Sequence, residues 1–292
     1  MSDALTVGTF NIKSFTYRSG RGHDFGPALH HISRCTPSPP DVFSLPEATH
    51  ADLDGHQPMW EFTNALSDML PDGESYLPFW APVEGRGNPP LLLLNAAKIR
   101  VRRWFPPHCR SGLFRWGFVE AELPGIAGTT WISAVHWQGG QGRAVFQQHA
   151  AALAPYAAAS TLLLGDFNAT SSWAGEVQVD WPRQSIARGE QYKLLQKCRW
   201  SELAQDWVLD TRQIDLLRTT FGFWDAGERA GDPTVTTHEQ GSSLRIDRIM
   251  ASTGFPYSTL LDYRVFREEE GGDDSAPLSD HRYVYAELGS AS

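Results

Sequence analysis

Six places in the sequence put a carboxylate, amide or imidazole where an apolar run stops. The run Thr161-Leu162-Leu163-Leu164 leads into Gly165-Asp166-Phe167-Asn168. If the chain stays extended, Leu162, Leu164, Asp166 and Asn168 share one side, and polar groups at the exit of a buried strand are costly unless paired. Gly-Asp-x-Asn is equally good turn chemistry. Asp41–Leu45 runs into Pro46 and Glu47, and Phe43, Leu45 and Glu47 alternate, so an apolar face ends in a carboxylate. Asn11 stands near the end of Thr6–Ile12, and His136 near the end of Trp131–Trp137. Asp247 lies among Ile246, Ile249 and Met250, and Ser279-Asp280-His281 precedes the apolar run Tyr283–Leu288. Taken singly, each reads as a satisfied polar group, a turn or a surface charge.

Together, Asn11, Glu47, His136, Asp166, Asn168, Asp247, Asp280 and His281 are the constituents of a phosphoryl-transfer site. Carboxylates and amides supply the oxygen ligands that a hard cation such as Mg²⁺ prefers. Such a cation offsets charge on a phosphate and on the leaving oxygen. A neutral His accepts a proton from water at neutral pH, and a second imidazole can donate to a non-bridging oxygen, where charge accumulates.

The elements that must hold these groups alternate along the chain. Strands are expected at Leu5–Ile12, Asp41–Leu45, Leu91–Leu94, Ile99–Trp104, Phe114–Leu123, Thr130–Val135, Thr161–Leu164, Arg245–Ala251 and Arg282–Leu288. Helices are expected at Gly26–Ser33, Pro58–Met69, Ala144–Ala159 and Tyr192–Leu203. Strands outnumber helices and include hairpin-like neighbours, which points to an α/β sandwich with mixed sheets. The chain has 292 residues, and neither of its short linker-like stretches, Thr36–Pro40 and Gly271–Pro277, separates two halves able to bury a core, so one domain is expected. Apolar residues make up 41% and charged residues 20%, which excludes a disordered chain. No run of about 18 apolar residues exists, and the start MSDALTVGTFNI lacks a basic, apolar leader. Cys35, Cys109 and Cys198 are odd in number, widely spaced and without a CxxC pair, so the expected compartment is the reducing cytoplasm.

The pieces TFNIKSF, DVFSLPEAT, SAVHW, LLLGDFNAT, RIDRIM and LSDHRYVYAEL, in that order from residue 5 to residue 288, resemble the endonuclease/exonuclease/phosphatase superfamily, the group with the deoxyribonuclease I-like fold. The resemblance implies a four-layer α/β/β/α sandwich of two mixed sheets, with a site at one end where strands of both sheets finish. It implies Mg²⁺, or Mn²⁺ in its place, and phosphoester hydrolysis without a covalent intermediate. By the same resemblance Glu47 is the principal metal ligand, with Asn11 beside it. Asp166 positions or activates water, and Asn168 binds phosphate or orients Asp166. His281 is general base or phosphate-polarising group, with Asp247 fixing its tautomer. Asp280 orders the metal or water shell, and His136 faces the scissile phosphate. Pro46 stands where the family usually carries Gln, and LLLLNAAKIRV lacks the usual Ser-Arg of the corresponding strand pair.

Which phosphoester is cut is less directly encoded. The formal net charge is −9, unlike a default nucleic-acid binder, yet a local basic groove can act inside an acidic whole. Lys98, Arg100 and Arg102 alternate, giving either a cationic face for a polyphosphate or a charged edge strand that resists aggregation. The stretch Ser171–Gly189, with Trp173, Trp181, Arg183 and Arg188, offers rings for stacking a base or gripping a headgroup. Lys13 and Arg143 are further candidates for phosphate contact. The acidic run Glu268–Asp274, just before Ser279–His281, opposes a long duplex. The expectation is a nuclease-like phosphodiesterase acting on single-stranded or end-containing nucleic acid or small diesters. A phosphomonoesterase acting on a small or lipid-derived phosphate, and a catalytically inactive binding module of the same fold, are the alternatives.

Overall fold

The computed structural model describes residues 4–71, 73–80, 88–106, 117–137, 148, 151–176, 180–237, 243–266 and 279–290. Its strands are β1 (Leu5–Thr9), β2 (Val42–Leu45), β3 (Tyr76–Phe79), β4 (Leu91–Asn95), β5 (Arg100–Phe105), β6 (Phe118–Glu122), β7 (Thr130–His136), β8 (Thr161–Asp166), β9 (Cys198–Ser201), β10 (Asp206–Leu209), β11 (Trp224–Asp225), β12 (Asp247–Ala251), β13 (Thr259–Phe266) and β14 (Tyr283–Gly289). The helices are α1 (Gly26–Cys35), α2 (Leu53–Ser67), α3 (Ala154–Ala157), α4 (Trp181–Ala187), α5 (Gln191–Lys197), α6 (Arg212–Asp215) and α7 (Ala226–Ala230). One six-stranded sheet has the order β13-β14-β1-β2-β4-β3, and the other has β11-β12-β8-β7-β6-β5. Each is antiparallel except for one central parallel pair, β1 with β2 and β7 with β8.

Strand alternation builds the layers. Val42, Leu92, Leu94, Val284 and Ala286 of the first sheet meet Ile132, Ala134, Leu162, Leu164 and Ile249 of the second in one buried cluster. Phe43, Leu45, Leu91, Leu93 and Tyr283 of the first sheet face outward and pack on α1 and α2 through Ala28, Ile32, Phe62 and Leu66. Val135, Leu163 and Met250 face outward from the second sheet onto Leu153, Ile214 and Leu217. A strand covered on both sides reads as a continuous apolar run, which is why Leu91–Leu94 and Leu162–Leu164 show no polar alternation. The result is the expected α/β/β/α sandwich of two mixed sheets.

Local structure departs from expectation at four places. The helix expected over Tyr192–Leu203 stops at Lys197, because Cys198–Ser201 turns back as a hairpin on Asp206–Leu209, with Gln205 at φ 48° in the turn. Strands β3, β10, β11 and β13 are not among the expected ones; β13 is a partly exposed edge strand carrying Asp262 and Arg264, so its apolar signal is weak. In α2, Asp54, Gly55 and His56 have positive φ, so its regular part starts near Pro58, where a missing N–H costs nothing. Of the helix expected over Ala144–Ala159, most of the first turns lie outside the described residues, and α3 covers its end. The acidic run Glu268–Asp274, Cys109 and Arg143 also lie outside them.

Gly165 is demanded by close approach of the central strands. Its φ is +145°, and a Cβ there would sit 1.9 Å from the Val135 carbonyl oxygen. Gly165→Ala is therefore expected to destabilise the fold by about 2 kcal/mol or more, from backbone strain plus overpacking. Urea unfolding of the variant checks this, and an unchanged midpoint would count against the placement.

Candidate active site

Register alone sets three groups side by side. Asp247 opposes Asp166 and His136 pairs with Asp166, so β12, β8 and β7 carry them at one level. From the other sheet, Asn11 follows β1, Glu47 follows β2 and His281 precedes β14. Because β1 and β2 are parallel and β14 is antiparallel to β1, these three positions share an end. The two sheets thus deliver their polar residues to one place. His136 Nε2 lies 3.6 Å from Glu47 Oε1 and 3.8 Å from Asp166 Oδ2. His281 Nε2 lies 3.9 Å from the same Asp166 oxygen. Asp166 therefore sits between two imidazoles, and Glu47 on the far side of one of them.

Glu47 does not arrive by the alternation expected of it. Phe43 and Leu45 are buried beneath the outer helices, and β2 ends there. Glu47 has φ 57°, which breaks the extended course and turns its carboxylate toward His136; its Oε2 accepts from the Ser14 N–H at 3.3 Å. Asn168 behaves likewise. At φ 50° it leaves the line of β8, and its N–H donates to Asp166 Oδ1 at 2.7 Å while its side-chain amide donates to Asp166 Oδ2 at 3.0 Å. The Gly-Asp-Phe-Asn segment is thus a turn and part of the cluster at once. Trp137 N–H donates to the Asp166 carbonyl and Phe167 N–H to the Ile246 carbonyl, which pins the segment to both neighbouring strands.

The histidines are oriented from behind. His136 Nδ1 donates to the Asn88 carbonyl at 2.8 Å, which aims Nε2 at the carboxylates. His281 Nδ1 donates to Asp247 Oδ2 at 2.8 Å, so its Nε2 faces Asp166. Burial disfavours charge on His281, but Asp247 first, then Asp166 and Asp280, outweigh it, and its pKa is raised to about 10. Burial and the facing Asp247 also raise Asp166, partly offset by His281, His136 and Lys197. Asp280 pairs with Lys13 at 3.7 Å at the exposed rim. Asn11 Oδ1 accepts from the Lys13 N–H at 3.1 Å, and the Asn11 carbonyl accepts from Ser279, whose hydroxyl oxygen in turn accepts from the His281 N–H at 3.1 Å.

Sequence reasoning missed Lys197. Its Nζ donates to the Asn168 carbonyl at 3.0 Å and to the Asn168 side-chain oxygen, which holds the amide with its NH₂ toward Asp166. The only signal was its i,i+4 spacing from Lys193 on a helix, which says nothing of Asn168. Beside Asn168 and His281 opens a cleft of about 210 Å³, walled by Trp181, Tyr192, Gln196 and Ile246.

Other expected contacts are not brought to the site. Arg100 and Arg102 lie on the edge strand β5, level with Glu122, to which both are ion-paired. Ala121 beside Glu122 pairs with Thr130, whereas His136 ends β7. That is a strand length away, about 20 Å at roughly 3.3 Å per residue. The alternating basic face is a paired edge. Trp173 packs by the buried Arg245 guanidinium, 6.0 Å from its ring, and does not line the cleft.

The raised pKa of His281 belongs to the folded protein. Its protonation stabilises the fold fully below the ordinary value of 6.5, and that contribution is lost as pH rises through about 10. In metal-free protein, ring nitrogen NMR is expected to show His281 doubly protonated at neutral pH, and Asp247→Asn to lower its pKa. A His281 titrating near 6.5 in the unmodified protein would contradict this charge assignment.

No family model matches the sequence, and no curated protein is significantly similar to it. Solved structures are similar in fold. D. rerio TDP2 complexed with single strand DNA product is 13% identical, with 98% of this chain and 99% of that chain covered and a TM-score of 0.57. ANGEL2, a 2′,3′-cyclic phosphatase, in complex with adenosine-2′,3′-vanadate, is 14% identical, with 98% and 95% covered and a TM-score of 0.56. An endonuclease/exonuclease/phosphatase family protein from Bacteroides thetaiotaomicron is 14% identical, with 99% and 98% covered and a TM-score of 0.59. With its two mixed sheets in four layers, the chain has the deoxyribonuclease I-like fold of the endonuclease/exonuclease/phosphatase superfamily.

Proposed function

We propose that this protein is a divalent-metal-dependent phosphodiesterase that activates water without a covalent intermediate. The observation that carries the reading is Asp166, 1% exposed, with one carboxylate oxygen facing the Nε2 atoms of both His136 and His281. The single strand DNA product bound to D. rerio TDP2 and the 2′,3′-cyclic phosphatase activity in the name of ANGEL2 support a phosphate-ester substrate.

The donor set fits a hard cation. Glu47 beside His136, and Asp166, Asp247 and Asp280 around His281, bring four carboxylates to one end of the two sheets. Asp247 Oδ1 and Asn11 Nδ2 are buried without a hydrogen-bond partner among the described residues, so the polar cluster is incomplete as it stands. Glu47 would hold the ion, with Asn11 and Asp166 beside it. A Mg²⁺ or Mn²⁺ ion there supplies charge neutralisation at the phosphate and at the leaving oxygen.

The chain's own residues supply the rest. Asp166, its basicity raised by burial and by Asp247, takes a proton from the attacking water. The water oxygen forms its bond to phosphorus as the ester P–O bond opposite breaks, and the departing oxygen takes a proton from solvent. His281, doubly protonated and locked by Asp247, donates from Nε2 to a non-bridging oxygen. In this geometry it polarises the phosphate, and Asp166 is the base. Asn168, held by Lys197, keeps the Asp166 carboxylate in place.

Hydrolysis of bis-p-nitrophenyl phosphate with Mg²⁺ or Mn²⁺ tests the reading. EDTA is expected to abolish turnover. Glu47→Gln should move the metal titration to higher concentration, and His281→Ala should lower kcat by about 10²–10⁴-fold while leaving that titration in place. Turnover insensitive to EDTA would overturn the reading.

A further inference from the structure

Resting on the phosphodiesterase reading, we propose that the cleft beside His281 is a nucleoside subsite. It takes the base and sugar next to the scissile phosphate, so the substrate is a nucleotide-containing diester and not a phosphorylated inositol.

The cleft, about 210 Å³, shares Asn168 and His281 with the reacting cluster, so a group attached to the phosphate enters it. Part of its wall is apolar and aromatic: Trp181, 1% exposed, lies against Leu244 and Ile246 in a small buried cluster. Tyr192 stands at the rim with 59% of its surface open. Gln196, one turn further along α5, adds an amide with both donors and acceptor. One open aromatic face, at Tyr192, plus the Gln196 amide suits a flat heterocycle, which offers a ring to stack and an edge to hydrogen-bond.

The charges on the wall argue against a polyanion. Lys193 is ion-paired with Glu190 at 3.0 Å, Lys197 is bonded to Asn168, and Asp280 contributes a carboxylate. A polyphosphorylated ring binds where several cations converge on it. Here Lys193 is neutralised by Glu190, Lys197 is held on Asn168 and His281 on Asp247, and one acid lines the space. Most of the cleft is built by the segment between β8 and β12, which supplies Trp181, Tyr192, Lys193, Gln196 and Lys197, with Leu244 and Ile246 leading into β12.

The test compares thymidine 5′-(p-nitrophenyl phosphate) with methyl p-nitrophenyl phosphate, which share a leaving group and differ only in the nucleoside. The nucleoside ester should be favoured in kcat/KM by about tenfold, chiefly through KM, and Tyr192→Ala should remove about that factor from the ratio. Tyr192 is mostly exposed, so the variant should fold. A short single-stranded oligonucleotide, run in parallel, separates strand substrates from free nucleotides: the same Tyr192 dependence in both places one subsite under both. Equal use of the two esters overturns the subsite while leaving the phosphodiesterase reading intact; failure to cleave any diester defeats that reading. Thymidine 5′-monophosphate binding, followed by NMR, judges the subsite without turnover. Shifts at Tyr192, Gln196 and Leu244 that vanish in Tyr192→Ala support it. No shifts there, or displacement of the nucleotide by an equal concentration of inositol trisphosphate, would overturn it.

Discussion

Asp166 and Asp247 stand opposite one another on adjacent strands, 1% and 0% exposed, and the rest of the site exists around that pair. Like charges directly across a strand pair repel, and burial removes the water that would screen them. The protein answers with groups drawn from elsewhere in the chain. The His281 imidazole stands against both, Asn168 donates twice to Asp166, and the Asp247 N–H donates to Thr236. One imidazole thus bridges the two carboxylates, bonded to Asp247 through Nδ1 and facing Asp166 through Nε2.

Two backbone devices make this cluster buildable. Gly165 lets β8 approach β7 closely enough for His136 and Asp166 to share a level. Positive φ at Glu47 and Asn168 then bends each chain out of its strand just past its end. Without those bends, Glu47 would continue the alternation of Phe43 and Leu45 and end under the outer helices. Strained positions of this kind persist where surrounding contacts fix them, and here the contacts are the Ser14 N–H and the Asp166 carboxylate.

A second charged cluster lies behind the first. Arg245 and Arg248 each reach both Glu176 and Asp225, and all four are at most 4% exposed. Despite burial, the two guanidiniums hold the Asp225 carboxyl far below its usual range. Such a ring is weak evidence for net stability, but breaking it would leave an uncompensated buried charge. It ties the segment after Asn168 to β11 and β12, and so steadies both walls around Asp247. Within the one motif Arg-Ile-Asp-Arg, strand alternation sends the aspartate to the site and Arg248 to the opposite face of the sheet.

The sequence by itself determined the residue types and the strand ends that carry them. Apolar runs closing on Asp166, His136, Asn11 and Asp247 mark where buried strands meet solvent, and that is local information, carried by composition and period. Period and composition pointed to an α/β sandwich with mixed sheets, and the four-layer arrangement came from the family resemblance carried by the order of the motifs. What a sequence lacks is distance between segments. The link from Lys197 to Asn168, the bend that re-aims Glu47, and the pairing of Arg100 and Arg102 with Glu122 far from the site are each decided by packing between segments distant in sequence. Alternation predicts a face only while the chain remains extended; at the strand ends, where the candidate site lies, tertiary hydrogen bonds choose the backbone conformation, and only the folded structure shows which way each side chain turns.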